Sequence, residues 1–426
     1  MRRKYLFVGQ VSLLLLVITA LYFGSHHISS LPSQIHFPDI SRPDSASSSK
    51  DSNDASYTSS GILSAENITR YVNAISDPKS EDLPRLKCPD IASSSRYDGL
   101  KLPSSSPPAE IKYFFAIDLR DSVKLLPRLL GSVVESIRFL GPTNCALSII
   151  EGNSNDGTYD VLQALRPSLD ALTTTYYLRS SDIDPKQGDR IAKLAELRNM
   201  ALQPLLDNAH LYSTETTVVF LNDVAACTED ILELVYQRQQ LDADMTCGMD
   251  WVYVGRDPTF YDVWVARGMN GDSFFEIPAD GNWNSAWNLF WNNEPAQSSM
   301  NAHRPFQVFS CWNGAAVFTA KPIVEKVITF RGPREGECKQ GEPQLFCKDM
   351  WFYGYGKIAV VPSVHLEYSD DRAQQIKDLK GYTSRWTAAE DVPTDDKIEW
   401  QRDPPAEVKC IPSYDAQSFR PWNETL

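Results

Sequence analysis

The sequence predicts an α/β domain built on a mostly parallel sheet. Runs of aromatic and β-branched residues, typical of buried strands, alternate with segments whose apolar residues recur at helical spacing. Polar residues directly follow three of the predicted strands, and open α/β sheets bind their ligands at that edge. We therefore expect a folded domain with a ligand site beyond the carboxyl ends of its strands.

The 426-residue chain opens with a short basic tail and an uncharged apolar segment. The tail covers 1–5, and the apolar segment, 6–23, has about the length needed to cross a bilayer core as a transmembrane helix. A cleaved signal peptide is the alternative, although Tyr22 and Phe23 stand where cleavage needs small residues. Because the basic residues precede the span, we expect a single-pass type II protein of the ER or Golgi membrane with a lumenal body.

Residues 24–108 are rich in serine, aspartate and proline. A segment of this composition does not bury enough apolar surface to offset the conformational entropy of the chain. We expect a disordered stem here, with one short helix at about 65–75.

The folded domain is expected at 109–426, because strand and helix patterns alternate from its start. The predicted elements are, in order, a strand at 112–118, a helix at 125–140 ended by Gly141 and Pro142, a strand at 146–151, a helix from Tyr159, a helix at 190–206 capped by Asp189, a strand at 216–221, a helix at 229–240 and a strand at 357–361.

Composition and charge exclude one function class. Hydrophobic residues make up 42% of the chain and charged residues 23%, as in ordinary folded proteins. The net charge of −14 argues against binding nucleic acid through a general basic surface, but it is compatible with an anionic substrate at one local basic site. Two glycosylation sequons, at Asn67 and Asn423, agree with a lumenal body.

Eight cysteines form an even set, which suits an oxidising compartment. Cys338 and Cys347 are the predicted disulfide pair, because a loop containing glycine and proline separates them. Their spacing is too wide for half of a zinc knuckle.

The polar residues at the three strand ends are Asp118, Glu151 and the pair Asn222 and Asp223. Mg²⁺ and Mn²⁺ prefer carboxylate oxygens with positions left open for a diphosphate. Asp223, on a rigid strand end, is the predicted metal ligand. The alternative is a cap for the following helix, but Thr228 is better placed for that role.

The loop at 151–158 concentrates turn-forming residues with two carboxylates, those of Glu151 and Asp156. Such a loop can hold a ribose or a base through short polar contacts. The alternative is a tight turn that caps the next helix.

Arg198 lies on the apolar stripe of the helix at 190–206. One interpretation is a buried guanidinium that meets phosphate, for which its fork of donors is suited. The other is an arginine that extends to solvent from the edge of the stripe.

The second half of the domain is rich in tryptophan, and its aromatic and carboxamide side chains predict a surface for sugars between 250 and 312. Further along the chain, Glu342 and Asp349 are available acids. His365 follows a predicted strand and could complete a metal site with Asp223, although a single histidine is more often structural.

Seven motifs stand in an order that resembles the fungal capsule-associated mannosyltransferases, glycosyltransferase family 69. The resemblance covers about 111–368 and is carried by EGNSNDGT at 151–158, LAELRN at 194–199, FLNDV at 220–224, CGMDW at 247–251, FYDVWVAR at 260–267, CWNG at 311–314 and CKDMW at 347–351.

This resemblance implies a GT-A-like fold, GDP-mannose as donor, a mannose-containing glycan as acceptor, an α-1,3 linkage and Mn²⁺ or Mg²⁺ as cofactor. It divides the domain into a nucleotide-binding half at about 111–250, an acceptor half at about 251–370 and a C-terminal extension at 371–426. Acceptor contacts are expected at Asp250, Trp251, Trp312 and Asn313.

The family's acidic motif matches at Asp223, the implied metal ligand. Arg198 would then face the donor diphosphate, with Asn222 beside it, and Glu151 and Asp156 would contact the nucleoside. The chain departs from the usual Asp-X-Asp because Leu221 stands two residues before Asp223, so the complete metal ligand set stays open.

The stereochemistry of transfer decides which acids take part in catalysis. If the linkage is α, configuration is retained and the leaving phosphate can take the acceptor proton. If the reaction inverts, Asp349 or Glu342 has to act as general base.

Three other functions remain as alternatives. One is a non-catalytic accessory factor of polysaccharide export or capsule assembly with the same fold. Another is a secreted metal-dependent hydrolase, although the chain's six histidines do not form the dense ligand cluster that it needs. The third is a transferase with a different donor, such as GDP-fucose, UDP-xylose or UDP-glucose.

Overall fold

A computed structural model of the chain describes residues 62–91, 95–102, 110–387 and 397–426. The predicted tail, transmembrane anchor and first part of the stem lie outside these residues. Among the residues described, no helix combines the length and the apolar character that spanning a bilayer requires.

The described helices surround a large sheet. They are α1 (Ala65–Ser76), α2 (Leu126–Leu140), α3 (Thr158–Ala164), α4 (Arg166–Ala171), α5 (Arg190–Asp207), α6 (Thr228–Gln240), α7 (Glu294–Asn301), α8 (Lys321–Val324), α9 (Glu342–Phe352), α10 (Asp370–Lys380) and α11 (Thr383–Thr387).

The strands form that sheet and one separate hairpin. They are β1 (Tyr113–Leu119), β2 (Cys145–Glu151), β3 (Thr175–Ser180), β4 (Thr217–Leu221), β5 (Met245–Val254), β6 (Asp257–Phe260), β7 (Arg267–Gly268), β8 (Phe306–Ser310), β9 (Ala315–Thr319), β10 (Ile358–Leu366), β11 (Glu407–Ser413) and β12 (Ala416–Pro421).

The large sheet is mixed, with strand order β3-β2-β1-β4-β9-β5-β10-β8-β7 and with β6 paired to β5. The neighbours β3, β2, β1 and β4 are parallel, and so are β5 and β10. β9, however, lies antiparallel between β4 and β5, and β8 is antiparallel to β10. The prediction of a mostly parallel sheet was therefore wrong for the second half, where the chain returns between distant strands.

Strand β1 shows why this sheet is buried on both faces. Phe114 belongs to an apolar core that contains α5, whereas its neighbour Phe115 belongs to a core that contains α2 and α6. Successive side chains of a strand point to opposite faces, so a strand covered on both sides is a continuous apolar run. Each large apolar side chain fully buried in this way contributes about 1.5–3 kcal/mol.

Residues 62–91 and 95–102 of the predicted stem are folded, so the expectation of disorder is wrong there, whereas the helix expected at about 65–75 is α1. Helix α1 is capped by the Ser64 side chain, and Ile75 and Leu86 are buried. Cys88 is joined by a disulfide to Cys227, at the start of α6. The prediction of a stem rested on the average composition of 24–108, which does not reveal a few apolar residues or a disulfide partner.

The predicted disulfide between Cys338 and Cys347 is also wrong. Cys338 bonds to Cys410 of β11, and the Cα atoms of the pair are 5.9 Å apart. Cys347 lies within α9, which turns its thiol into the core as a free, buried cysteine. A further disulfide joins Cys247 to Cys311.

Candidate active site

Arg198 of α5 occupies the centre of a polar cluster at the carboxyl ends of the strands. Its Nε donates to Glu342 Oε1 at 2.8 Å, and its Nη1 lies 3.4 Å from Asn222 Oδ1 and 4.0 Å from Asp118 Oδ1. Only 8% of its side chain is exposed. Burial acts to lower the pKa of Arg198, but the Asp118 and Glu342 carboxylates outweigh burial and raise it. The guanidinium is therefore a fixed positive charge, as the phosphate-binding interpretation requires.

Aromatic rings enclose this guanidinium. Its Cζ lies 4.6 Å from the centroid of the Trp312 ring, 5.1 Å from that of Phe220 and 5.8 Å from that of Phe330. Such rings stabilise a cation through their electron-rich faces. They also keep water from one side of Arg198, which strengthens its interaction with any anion that reaches it.

Asn222 connects the end of β4 to this enclosure. Its Oδ1 accepts a hydrogen bond from Trp312 Nε1 at 2.9 Å, and its backbone N donates to Gly314 O, also at 2.9 Å. Gly314 has a φ of +80°, and a Cβ at that position would lie 3.0 Å from Val224 Cγ1. Glycine is therefore needed for this close approach.

Asp223 is the exposed residue of an otherwise buried segment. The four residues after it, 224–227, are buried, and Ala225 N donates to Glu367 O at 2.7 Å. In the sheet, β4 pairs with β1, and Ile117 of β1 lies opposite Leu221 of β4. Asp118 therefore lies beside Asn222 on the neighbouring strand. The predicted metal ligand is therefore accessible and lies on the edge that carries Arg198.

A second set of acids lies beside this edge: Asp250 is fully buried and Asp262 is partly buried. Tyr368 donates its hydroxyl hydrogen to Asp250 Oδ2 at 2.6 Å, whereas Asp250 Oδ1 has no hydrogen-bond partner among the described residues. Burial, and then the charge of Asp262, raises the pKa of Asp250 well above its usual value. Burial raises the pKa of Asp262 to about 6, although the Asn313 N–H and Arg198 act to lower it. The pair therefore keeps a proton to a higher pH than exposed carboxyls do.

Tyr261 lies where these acids meet the strand ends. Burial, followed by the charges of Asp250, Asp262 and Asp223, raises its pKa to about 12. Its ring packs at 5.0 Å from that of Tyr368. Sequence reasoning did not assign a role to Asp262, Tyr261 or Tyr368, although the first two lie in the motif at 260–267.

The acceptor contacts predicted from the resemblance are all interior residues. Asp250, Trp251, Trp312 and Asn313 are at most 3% exposed. Trp312 packs on Arg198, and Asn313 uses its side-chain amide to donate to Gly248 O at 2.8 Å. These residues shape the site from within and do not offer a surface to a sugar in this structure.

The carboxylates of the loop at 151–158 bind within the protein. Glu151 accepts from Ser154 N at 2.6 Å, and Asp156 accepts from Thr158 N and Val123 N, each at 3.0 Å. These contacts are those of a tight turn before the next helix, the alternative given for this loop. A nucleoside contact through Glu151 and Asp156 stays a prediction.

Asp349 does not meet the requirements of a general base. Both of its oxygens accept from Arg331, at 2.7 and 2.8 Å. It lies seven residues beyond Glu342 in α9, about 10 Å further along the helix axis. Its predicted catalytic role is therefore corrected to a structural ion pair.

His365 lies within β10 and contacts aromatic rings. Its Nδ1 accepts from Trp251 Nε1 at 3.2 Å, and its ring centroid is 6.1 Å from that of His303. Burial, and then the charges of Lys377 and Lys380, holds its pKa well below the usual value. These cations do not favour a metal ion beside His365, and its role as a metal ligand stays a prediction. Among the residues that the structure describes, no group of three or more histidine, cysteine, aspartate or glutamate side chains is arranged to hold a metal ion.

The mixed sheet and the Arg198 cluster define an α/β enzyme whose site lies at the carboxyl ends of its strands. Comparison with known sequences identifies its family. The model of the family described as cryptococcal mannosyltransferase 1 matches residues 112–349, more than half of the chain. The chain is 37% identical over 383 residues to the alpha-1,3-mannosyltransferase CMT1 of Cryptococcus neoformans, which covers 84% of this chain and 81% of that protein.

Two solved structures are similar to this fold at a low level. The mannosyltransferase PcManGT of Pyrobaculum calidifontis, solved with GDP-Man and Mn²⁺, has a TM-score of 0.36 at 9% identity and covers 72% of this chain and 67% of its own. S. aureus TarS 1–349 has a TM-score of 0.36 at 16% identity and covers 67% of this chain and 66% of its own. Both likenesses are too slight to support an assignment, which rests on the sequence relatives.

The chain belongs to the cryptococcal mannosyltransferase 1 family and is a glycosyltransferase. The resemblance predicted from its motifs is confirmed.

Proposed function

We propose that this protein transfers a mannosyl group from GDP-mannose to a mannose-containing glycan, with an α-1,3 linkage, in a GT-A-like domain that uses Mn²⁺ or Mg²⁺. The name of the Cryptococcus relative supports the sugar and the linkage. The donor and the cofactor rest on the motif resemblance and on the chemistry of the strand-end cluster.

One observation carries the proposal: a buried arginine faces more negative charge than it can balance. Arg198 is paired with Glu342 and lies close to Asp118, and the exposed Asp223 adds a further carboxylate on the same edge. A diphosphate and a divalent cation together complement such a site, because the arginine meets the phosphate and the strand-end carboxylates meet the metal.

The described residues fit a cation that the substrate helps to hold. Mg²⁺-type sites that bind nucleotides commonly use one or two protein carboxylates and complete their coordination with phosphate oxygens and water. Asp223 would hold the ion, with Asp118 as the second carboxylate on the neighbouring strand. When bound, the ion supplies positive charge to the departing diphosphate.

The contribution of the chain itself is electrostatic preorganisation. Arg198 is held by Glu342 and Asn222 and enclosed by aromatic rings before any ligand arrives, so it does not have to reorganise when the leaving group gains charge. Asp349 is engaged by Arg331 and Glu342 by Arg198, so neither is free to take a proton. This agrees with a retaining reaction, in which the leaving phosphate takes the acceptor proton.

We further propose that the catalytic domain lies in the lumen of the Golgi or ER, behind a type II anchor at 6–23. Three disulfides among the described residues agree with an oxidising compartment. Asn67 and Asn423, the asparagines of the two sequons, are exposed, as glycosylation requires.

The test is donor turnover by the purified full chain in detergent, with GDP-mannose, GDP-fucose, UDP-glucose and UDP-xylose offered in turn. We expect hydrolysis and transfer with GDP-mannose in Mn²⁺, and loss of both in EDTA. Turnover of another donor would overturn the donor assignment. Folded protein that neither binds nor turns over any donor would favour the accessory-factor alternative.

A further inference from the structure

A segment before the catalytic domain is joined to the loop that carries Asp223. This segment, residues 84–91, is called the clasp below. Leu86 N donates to Asp370 Oδ1 at 2.7 Å, and Arg128 Nη1 donates to Leu86 O at 3.0 Å. Cys88 then forms the disulfide with Cys227. The clasp is thus fixed to α2, to α10 and to the first residue before α6.

The loop that receives the clasp is short and held at several points. Ser132 Oγ donates to Ala226 O at 2.6 Å, Ala225 N donates to Glu367 O at 2.7 Å, and Val224 N donates to Asn222 O at 2.8 Å. Asp223 lies between these fixed points and is itself exposed. Its orientation therefore depends on how firmly the buried residues at 224–227 are held.

We infer that the Cys88–Cys227 disulfide is a positioning element for Asp223 in the donor site. The inference rests on the proposed function, in which Asp223 binds the metal and nucleotide. Cys88 acts through Cys227 and the three residues between Cys227 and Asp223, and it does not touch the ligand. The clasp is then a part of the active-site framework and not a spacer.

Rigid placement of this kind has a large effect on binding and catalysis. A misplacement of about 1 Å of a group at the site can reduce the rate about 100-fold. The alternative role for the disulfide is general stabilisation, because a cross-link restricts the unfolded chain. The two roles differ in what they predict for ligand binding by protein that is still folded.

The chain offers a matched control in Cys338–Cys410. The two disulfides join residues 139 and 72 positions apart, and the entropic effect of a cross-link changes only slowly with loop length. Cys338–Cys410 attaches the hairpin of β11 and β12 and has no described contact with 222–227. Cys88→Ser is preferred to a change at Cys227, because the Cys227 side chain also takes part in capping α6.

The experiment compares full-length Cys88→Ser and Cys410→Ser by three measurements. The first is the Kd of GDP in Mn²⁺, by calorimetry. The second is the thermal midpoint without ligand. The third is amide hydrogen exchange at 222–227 in metal-free, nucleotide-free protein. We expect both variants to lower the midpoint, and only Cys88→Ser to weaken GDP binding, by about tenfold or more, and to speed exchange at 222–227.

Combination with Asp223→Ala sharpens the test. If the disulfide acts through Asp223, Cys88→Ser weakens GDP binding no further in the Asp223→Ala protein, because interacting positions are not additive. A Cys88→Ser protein with the Kd and exchange of the wild type, or with the same losses as Cys410→Ser, would overturn the inference. Failure of the proposed function is distinguishable, because the wild type itself would then show no Mn²⁺-dependent binding of GDP.

Discussion

Two arginines, the buried Arg198 and the partly buried Arg331, have opposite relations to the acids around them. Arg331 donates to both oxygens of Asp349 and to both oxygens of Glu337, and Lys348 donates to Glu337 at 2.6 Å. Two cations and two carboxylates balance in that cluster, and their hydrogen-bonding groups are engaged with one another. It is a closed structural network.

The Arg198 cluster is open by comparison. Its guanidinium donates to one oxygen of Glu342, is 4.0 Å from Asp118 and lies on the edge where Asp223 is exposed. One arginine there faces several carboxylates, those of Glu342, Asp118 and Asp262. The difference teaches that an acid's surroundings decide its function: Asp349 and Asp223 are both aspartates of family motifs, but Arg331 engages both oxygens of Asp349, whereas Asp223 is exposed at the strand ends.

The largest effect that separates the two clusters is expected for Asp223→Ala. We predict a fall in kcat/KM for GDP-mannose of at least about 10³-fold, because a charge that stabilises the leaving group through the metal is lost. Because Asp223 is exposed, the thermal midpoint should stay within a few degrees of the wild type. Substantial turnover by folded Asp223→Ala protein would remove Asp223 from the donor site.

The corresponding change in the closed cluster is Asp349→Ala. It removes both hydrogen bonds between Arg331 and Asp349 from a partly buried network, in which Arg331 keeps Glu337, and we predict a loss of about 1.5–3 kcal/mol in the free energy of unfolding. Denaturant unfolding measures this loss. The kcat of the protein that remains folded should stay within several-fold of the wild type. A fully stable Asp349→Ala protein without activity would reverse the assignment and restore Asp349 as a candidate base.

Exchange of each arginine for lysine gives a smaller effect that still distinguishes the clusters. Arg198→Lys keeps the charge but loses the fork that holds Glu342 and Asn222, and we predict a loss of about 100-fold in kcat/KM. Arg331→Lys should reduce stability and leave kcat/KM nearly unchanged. Steady-state kinetics at saturating Mn²⁺ measures kcat/KM for both proteins. Equal losses of kcat/KM in the two variants would contradict the prediction.

The smallest effect concerns His365, which belongs to neither cluster. Burial and the nearby Lys377, Lys380 and His303 lower its pKa, so the unfolded state binds a proton near pH 6.5 that the folded state does not bind. Stability present at neutral pH is therefore lost as the pH falls, by at most about 1.4 kcal/mol per unit below about 6.5. Urea unfolding between pH 7.5 and 5.5 should show a shallower dependence for His365→Gln. An unchanged slope would contradict the buried, neutral state of His365.

The first half of the fold was predictable because its signals are local. The strand predicted at 112–118 is β1, Tyr113–Leu119, and the helix predicted at 190–206 is α5, Arg190–Asp207, with Asp189 as its cap. Continuous apolar runs and a capping aspartate are properties of neighbouring residues. The insertion of β9 between β4 and β5 depends on contacts between distant segments, which no local pattern contains.

The site was predictable to the same extent. Arg198, Asn222 and Asp223 lie on elements whose type and order the sequence indicated, and the structure brings Arg198 and Asn222 together at the strand ends. The roles of Asp349 and Cys338 were misjudged, because their partners, Arg331 and Cys410, are identifiable only in three dimensions. Trp312 was predicted to contact a sugar, but its indole fills the space beside Arg198.

The most direct test of the central claim is the Mn²⁺ dependence of GDP binding, measured by calorimetry for the wild type and for Asp223→Asn. This substitution keeps the size of the side chain and removes its charge. If the Arg198 cluster is a metal and diphosphate site, wild-type affinity rises steeply with Mn²⁺ and the affinity of Asp223→Asn does not. Equal Mn²⁺ dependence in the two proteins would contradict the account and place the donor elsewhere.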